Sequence, residues 1–320
     1  MPLPLSENNQ MTIERRPIIN REEWLAWRRE DVTASRVGAL FGCHPYETAL
    51  RLYAEKRGVE FPDSDNKTMR RGRWLEPAVA KAVEELRPDW KLEQPSIYLR
   101  DPDIRLGCTP DFFIHDPVRG LGVLQCKTVA PSVFHRDWLD GTEIPFWITL
   151  QALTEMMLTD AAFGAVAVLL VDPHAMDCVI LDVPRHPGSE DKIRDRVCQF
   201  MANTDAGIEP DPDFSRDAAV IKALTPRETP GEKIDLSGNN RLPAMLEQRA
   251  ALMATMKEAD AACDAIEAEV KFLMGSAEIA NGLPDWRISY RTEHRKEYTV
   301  KARSSRVLRI QDKRPQTEAT

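Results

Sequence analysis

The sequence predicts a mixed α/β protein in which a central sheet is flanked by helices. Amphipathic segments come first, an antiparallel meander of short apolar strands follows, and a crossover helix then leads into two more strands. With 42% hydrophobic and 29% charged residues over 320 positions, the chain has room for one large or two ordinary folded domains. Helices are expected at 22–29, 32–42, 48–57, 66–87, 145–160 and 190–203, and strands at 97–99, 105–113, 123–126, 165–171 and 179–183.

Composition narrows the functional classes. No apolar run reaches the roughly 18 residues of a membrane span, and the first residues, MPLPLSENNQ, lack the plan of a signal peptide. The six cysteines form no CxxC pair. We therefore expect a cytoplasmic protein with reduced thiols and no structural zinc site. The net charge of −8 does not exclude nucleic acid, because phosphate binding depends on local clusters of Lys and Arg.

The N-terminal region contains a candidate anion site. Residues 1–18 are expected to be a flexible arm, followed by the helix EEWLAWRR and by a second short helix in VTASRVGALFG. Thr33 or Ser35 can cap that second helix, and Gly42 can end it. A helix N-terminus beside Arg28 is suited to binding an anion. An ordinary cap beside solvated arginines explains the same residues.

The long helix at 66–87 contains a basic cluster followed by an acid. Arg70, Arg71 and Arg73 come directly before Glu76. A lone glutamate on such a helix is usually a surface residue, and Glu76 gains interest only if the fold brings it to Asp111. The core-facing stripe is expected to contain Leu75, Val79, Val83 and Leu86.

The stretch CTPDFFIHDPVRGLGVLQCKT, residues 108–128, predicts two strands joined by a reversal at 117–122. Gln125 and Lys127 are two positions apart in the second strand, so their side chains project to the same face. Asp111 is expected on that face as well. An acid, an amide oxygen and an ammonium group would then meet at one point. Downstream, Gln151 and Glu155 are four residues apart and are expected to be exposed on one face of the crossover helix.

The C-terminal third is expected to be separate from this domain. A Pro-rich stretch begins a linker assigned to 207–235, and residues 236–320 form a helix and strand region. A heptad seam from Leu242 to Leu273 predicts a coiled-coil-like helix, for which a two-stranded coil, a hairpin partner and packing on the first domain all stay open. Basic segments at 286–290, 296–301 and 306–311 read as short strands, which fits either nucleic-acid contact or a solvated sheet edge.

Four motifs in order carry a family resemblance. They are RRGRWLE at 70–76, Thr109-Pro110-Asp111, Gln125-Cys126-Lys127 and Gln151. They resemble the YqaJ-type viral recombinase family, which includes the phage lambda exonuclease, within the restriction-endonuclease-like PD-(D/E)XK nuclease superfamily. WRREDVTAS also resembles the family's N-terminal motif that holds a terminal phosphate. The resemblance covers about residues 20–205, and it implies a restriction-endonuclease-like fold for a nuclease domain at 19–206.

The resemblance implies an exonuclease that acts 5′-to-3′ on double-stranded DNA ends with Mg²⁺, or Mn²⁺ in its place, and leaves 3′ overhangs for phage-type recombination. It further implies a single-strand annealing partner and a homotrimer in a bacterial or phage-infected cell. Catalysis would fall to Glu76, Asp111, Gln125, Lys127 and Gln151. The metal would be held by Asp111, Gln125, Glu76 and the Cys126 carbonyl, and the DNA phosphates by Arg28, Ser35, Arg70, Arg71, Arg73 and Thr109.

Gln125 departs from the family pattern, which has Glu or Asp two positions before the lysine. An amide oxygen can bind Mg²⁺ but brings no charge. Three explanations stay open: a natural glutamine in an active enzyme, an engineered Glu-to-Gln trap, and a protein that binds DNA ends without cutting them. An endonuclease on the same fold is a further alternative.

Overall fold

The computed structural model describes residues 12–61, 67–294 and 306–310. The chain divides into two compact units, residues 1–225 and 226–320. The helices are α1 Arg21–Glu30, α2 Val37–Leu40, α3 Ala49–Lys56, α4 Lys67–Leu86, α5 Pro131–Asp137, α6 Phe146–Thr159, α7 Pro187–Asp205, α8 Ala218–Leu224 and α9 Leu242–Met274. The strands are β1 Glu14–Pro17, β2 Val32–Thr33, β3 Lys91–Glu93, β4 Ile97–Asp101, β5 Leu106–Cys108, β6 Phe112–Asp116, β7 Gly120–Val129, β8 Phe163–Val171, β9 Met176–Pro184, β10 Ile279–Ala280 and β11 Ile288–Ser289.

A five-stranded mixed sheet forms the centre of the first unit, in the order β3-β6-β7-β8-β9. Strands β7 and β8 are parallel, as a crossover through α6 requires, and the other neighbours are antiparallel. Alternate residues of β7 enter the cores on opposite faces, because successive strand side chains point to opposite sides. Val123 packs in the core that contains Met156 of α6, whereas Leu124 packs with Val79 of α4. The mixed sheet flanked by helices confirms the predicted fold class.

A smaller sheet, β1-β4-β5-β2, includes residues that the sequence analysis placed elsewhere. Glu14–Pro17 pairs with β4 and so is part of the folded unit, although it lies in the stretch assigned to an arm. The short helix expected at 32–42 is also shorter than predicted. Its first two residues form β2, which pairs in parallel with β5. Only Val37–Leu40 is α-helical. This pairing is long-range, so the local pattern did not reveal it.

The strand expected at 105–113 is broken in two. Leu106–Cys108 belongs to the smaller sheet and Phe112–Asp116 to the central one, with Thr109-Pro110-Asp111 between them. Pro110 cannot donate a ladder hydrogen bond, which explains the break. In α4, Val79 and Val83 are buried as predicted, whereas Leu86 is 53% exposed because the helix ends there.

The first unit continues past residue 206 into the stretch assigned to a linker. Helix α8 follows buried Asp217, which accepts a hydrogen bond from the Thr48 hydroxyl at 2.5 Å. In the second unit, the heptad region is one continuous helix, α9, on which Leu252 is 59% exposed. Strand β11 covers part of the predicted strand at 286–290, the segment 296–301 lies outside the described residues, and 306–310 has no regular structure. Among the described helices, none has the length and apolar character needed to cross a membrane.

Candidate functional site

The site forms where the ladder between β6 and β7 stops. The last pair is Phe112 with Leu124, and beyond it β7 is paired only with β8. The carboxylate of Asp111 takes the place of a strand partner, since its Oδ2 accepts the backbone N–H of Cys126 at 2.8 Å. Both backbone groups of one strand residue point to the same side. The Cys126 carbonyl therefore faces the side on which Asp111 lies.

Helix α4 packs on this part of the sheet and brings Glu76 toward Asp111. Gln94, just after β3, donates from Nε2 to Glu76 Oε1 at 3.1 Å. Burial, and then the neighbouring Asp111, raise the pKa of the Glu76 carboxyl to about 7. Burial also raises the pKa of Asp111, while the ammonium of Lys127 opposes that rise. Two carboxylates thus lie within electrostatic range of each other in a setting that disfavours their charge.

On the opposite face of β7, the buried amide of Gln125 is part of a hydrogen-bond network with Gln151, Glu155 and the partly buried Lys127. Its Oε1 accepts from Gln151 Nε2 at 2.5 Å and from Lys127 Nζ at 3.2 Å. Its Nε2 donates to Glu155 Oε2 at 2.6 Å. The Gln125 oxygen is therefore already engaged by two donors.

Helix α6 is buried, contrary to the expectation that Gln151 and Glu155 would be exposed. Every residue from Leu150 to Thr159 is buried, because α6 packs beneath the central sheet and against α2 and α7. Gln151 also donates to the second oxygen of Glu155, at 3.2 Å. Burial, followed by Asp111, raises the pKa of Glu155 to about 8. Glu155 is not among the predicted site residues, although its spacing of four from Gln151 places the two side chains on one face of the helix.

The ammonium of Lys127 is held by two amide oxygens. Nζ donates to Gln125 Oε1 and to Gln151 Oε1, each at 3.2 Å, and it lies 5.7 Å from the centroid of the Trp147 ring. It also acts electrostatically on Asp111 and on Glu76, where its positive charge opposes the rise that burial causes in the pKa of both carboxyls. Lys127 is thus oriented by the network on one face of β7 and acts on the acids at the end of the ladder.

A second cluster joins Arg28 to the start of the Asp111 loop. The Arg28 guanidinium donates to Ser35 Oγ at 3.4 Å and stacks 4.6 Å from the ring of Trp24. Trp24 Nε1 in turn donates to Thr109 Oγ1 at 3.0 Å. Thr33 makes no capping bond, and its hydroxyl lies 3.2 Å from that of Ser35.

Burial lowers the pKa of Arg28, and among the described residues it has no carboxylate partner in an ion pair. A guanidinium placed beside hydroxyl groups in this way is suited to an anion. Trp24 therefore links the Arg28–Ser35 pair to Thr109, which lies two positions before Asp111. Arg70, Arg71 and Arg73 lie one to two turns before Glu76 on α4 and are exposed or partly exposed.

The donor set at the end of β7 is oxygen only: the carboxylates of Asp111 and Glu76 and the Cys126 carbonyl. Within the described ranges, no three His, Cys, Asp or Glu side chains lie close enough to enclose a metal ion. Mg²⁺ does not need such a cage, since it is usually held by one or two carboxylates and keeps several waters. These residues therefore fit a hydrated Mg²⁺ better than a fully enclosed ion.

Comparison with known proteins bears on the same part of the chain. Residues 23–162 match the family described as the YqaJ-like viral recombinase domain. The resemblance drawn from the motifs is confirmed over these residues. The matched segment includes both the Arg28 cluster and the site formed by Glu76, Asp111, Cys126 and Lys127.

A relative from Bacillus subtilis (strain 168), the uncharacterized protein YqaJ, is 27% identical over 146 residues. The alignment covers 44% of this chain and 40% of that relative, so the chain spans less than half of the relative's length. Among solved structures, the alkaline exonuclease LHK-Exo from Laribacter hongkongensis is 23% identical, with a TM-score of 0.45, over 63% of this chain and 100% of its own. LHK-Exo in complex with dAMP has a TM-score of 0.47 at 22% identity with the same coverage.

Proposed function

We propose that this protein is a Mg²⁺-dependent exonuclease that degrades double-stranded DNA from its 5′ ends and leaves 3′ overhangs for phage-type recombination. One observation carries the proposal. Asp111, Glu76 and the Cys126 carbonyl converge beside Lys127 at the point where the β6–β7 ladder opens, inside the segment that matches the recombinase domain.

The chemistry of phosphodiester hydrolysis accounts for these residue types. A bound divalent cation would lower the pKa of an attacking water and neutralise charge on the phosphate. Asp111, Glu76 and the Cys126 carbonyl would hold that ion. Lys127, already oriented by Gln125 and Gln151, is positioned to orient the water and to stabilise the negative charge of the transition state.

The Arg28 cluster supports the 5′-to-3′ direction. The Arg28 guanidinium donates to the Ser35 hydroxyl, and Trp24, on which Arg28 stacks, donates to the hydroxyl of Thr109 in the segment that leads to Asp111. A terminal 5′-phosphate bound there would place the adjacent phosphodiester near the acids. Arg70, Arg71 and Arg73 would contact the duplex backbone without reading its sequence.

The test is digestion of a linear duplex carrying either a 5′-phosphate or a 5′-hydroxyl, with Mg²⁺, with Mn²⁺ and with a chelator. We expect mononucleotide release that needs the divalent ion, is faster with the 5′-phosphate and leaves a 3′ strand. Cleavage of a covalently closed circle would instead indicate an endonuclease. Faster digestion from 3′ ends would contradict the proposed polarity.

A second candidate, a protein that binds DNA ends without cutting them, is favoured by the neutral Gln125, whose oxygen is already occupied. It predicts salt-sensitive binding to duplex ends that survives Lys127→Ala, with no digestion in any metal. A cytoplasmic location, a homotrimer and a single-strand annealing partner belong to the main proposal. Light scattering would measure the mass of the homo-oligomer. Co-purification with a single-strand annealing protein would test the partner.

A further inference from the structure

The main chain between Arg28 and Ser35 contains the end of helix α1. The helix stops at Glu30, so its last carbonyl groups have no N–H partner from a further turn. The Val32 N–H would donate to the Arg28 carbonyl if the helix continued, but it donates to the Arg105 carbonyl at 2.8 Å instead. The chain therefore leaves the helix to enter β2, and the carbonyl groups at the helix end need other donors.

Lys56, the last residue of α3, supplies these donors. Its Nζ donates to the carbonyl of Arg28 at 3.2 Å and to those of Arg29 and Asp31 at 2.6 Å each. Burial lowers the pKa of Lys56 to about 8, so the ammonium form predominates near neutral pH. An ammonium group has three N–H donors, and all three are used on this one turn of main chain.

The side chain of Asp31 connects the same turn to strand β4. It is buried, and its carboxylate accepts the Arg100 guanidinium through Nε at 2.9 Å and Nη2 at 2.6 Å and the Tyr98 hydroxyl at 3.0 Å. The Tyr98 ring also stacks on Trp27, the residue before Arg28, with 6.0 Å between the ring centroids. The end of α1 is thus held by α3 and by β4.

Helix α3 contacts the other end of the segment as well. Glu55, directly before Lys56, forms an ion pair with Arg36, the residue after Ser35. Two consecutive residues of one helix therefore hold both ends of the segment that contains Arg28 and Ser35.

We infer that Lys56 is a positioning residue for the terminal phosphate: it holds the turn that sets Arg28 against Ser35, and so determines the preference of the protein for a 5′-phosphorylated end. The inference rests on the proposed function. The Arg28 and Ser35 side chains meet at 3.4 Å although they are seven positions apart. A shift of the turn between them would therefore displace one phosphate-binding group relative to the other. Lys56 has no donor left for a ligand, so it acts through the main chain.

The test is a binding titration near neutral pH with the full-length protein and two linear duplexes that differ only in carrying a 5′-phosphate or a 5′-hydroxyl. A chelating buffer prevents cutting. Lys56→Met keeps the apolar stem of the side chain and removes its donors. We expect the ratio of the two dissociation constants to fall by about tenfold, since a hydrogen bond to a charged group typically contributes about this factor or more. A loss of stability alone would lower the fraction of folded protein but not this ratio.

Arg216→Met is the matched control. Arg216 also joins a cation to a main-chain carbonyl, that of His44 at 2.7 Å, but in a separate cluster with Asp213. We expect the control to keep the wild-type ratio. An equal fall of the ratio in Arg216→Met would overturn the inference, because the effect would then not be specific to the turn after α1.

The same ratio in wild type and Lys56→Met would overturn the inference while leaving the proposed nuclease intact. A wild type that does not distinguish the two duplexes would reject the phosphate site of the proposed function, and the inference with it. If Lys56→Met does not fold, Lys56→Gln decides, because it keeps two N–H donors but no charge. A lowered ratio in that variant supports the inference, and the wild-type ratio overturns it.

Discussion

The two ends of the β6–β7 hairpin shift the pKa of a carboxyl group in opposite directions. At the turn, Asp116 accepts the backbone N–H groups of Arg119 and Val118, the Trp90 indole N–H and the Arg119 guanidinium, all between 2.8 and 3.0 Å. The two backbone bonds, with the side-chain donors, hold the pKa of Asp116 well below its usual range. At the open end, burial raises the pKa of Asp111, and burial together with Asp111 raises that of Glu76.

The difference separates an acid that stabilises the turn from the two acids that we propose hold the cation. The charge of Asp116 is compensated by donors within the fold, so ionisation of Asp116 stabilises the native state. The charges of Asp111 and Glu76 are only partly compensated, and a divalent cation would complete that compensation. Perturbed carboxylates in such a position are typical of functional sites. Variants at the two ends should therefore affect different properties of the protein.

The largest expected effect is on activity in Asp111→Asn. We expect Mg²⁺-dependent DNA digestion to fall by at least about 100-fold, since the variant loses the carboxylate that would hold the cation, and the cation would stabilise the charge of the transition state. The melting temperature should not fall, because asparagine can still accept the Cys126 N–H while a disfavoured charge is removed. Activity assays paired with thermal melts measure both. An equal loss of activity in Asp116→Asn would remove the distinction between the two ends.

Lys127→Ala should have the second largest effect, again on activity. Loss of the ammonium is expected to lower the rate of digestion by about 100-fold or more while duplex binding in a chelating buffer persists. The single-turnover rate and a binding titration separate these quantities. Lys127→Arg is the control, because it keeps the charge but alters the geometry of the two 3.2 Å contacts. Full activity in Lys127→Ala would contradict a role in the chemical step.

Asp116→Asn should lower the stability of the protein and leave its activity unchanged, the reverse of Asp111→Asn, and the effect should be smaller. It removes the charge that four donors share, so we expect a melting temperature lower by a few degrees. Specific activity of the folded protein should be unchanged. Thermal melts and digestion assays on the same preparation measure the two effects. A stable variant with reduced activity would mean that the turn contributes to the site.

The smallest effect should appear in acid. The folded pKa of Asp116 is depressed, so its stabilising contribution is present above the unfolded value of about 3.9 and is lost as pH falls below it. The free energy of unfolding of wild type, measured in urea, should therefore decrease as the pH falls over that range. In Asp116→Asn this part of the pH dependence should be missing. Parallel curves for the two proteins below pH 4 would show that Asp116 does not contribute to acid sensitivity.

Several features could be predicted from the sequence because they depend on local pattern. The β6–β7 hairpin, the crossover helix and the pairing of Gln125 with Lys127 all follow from strand alternation and turn residues. The burial of Glu155 could not be predicted in this way. Helix α6 is buried over its whole C-terminal part, so periodicity gives no sign of which face is polar.

The other features that could not be predicted from the sequence depend on long-range contacts. The parallel pairing of Val32 with Leu106 joins segments that are far apart in sequence. The break at Pro110, which frees Asp111 to bind the Cys126 N–H, depends on two sheets diverging at that point. The donors around Asp116 include Trp90 from a different segment. None of these contacts leaves a periodic signature within a single element.

The most direct test of the account is Mg²⁺-dependent release of nucleotides from a 5′-phosphorylated linear duplex by wild type, Asp111→Asn and Asp116→Asn, measured side by side. We expect release by wild type and Asp116→Asn, both stopped by a chelator, and none above background by Asp111→Asn. Equal release by wild type and Asp111→Asn, or a wild type that stays inert with Mg²⁺ and with Mn²⁺, would contradict it.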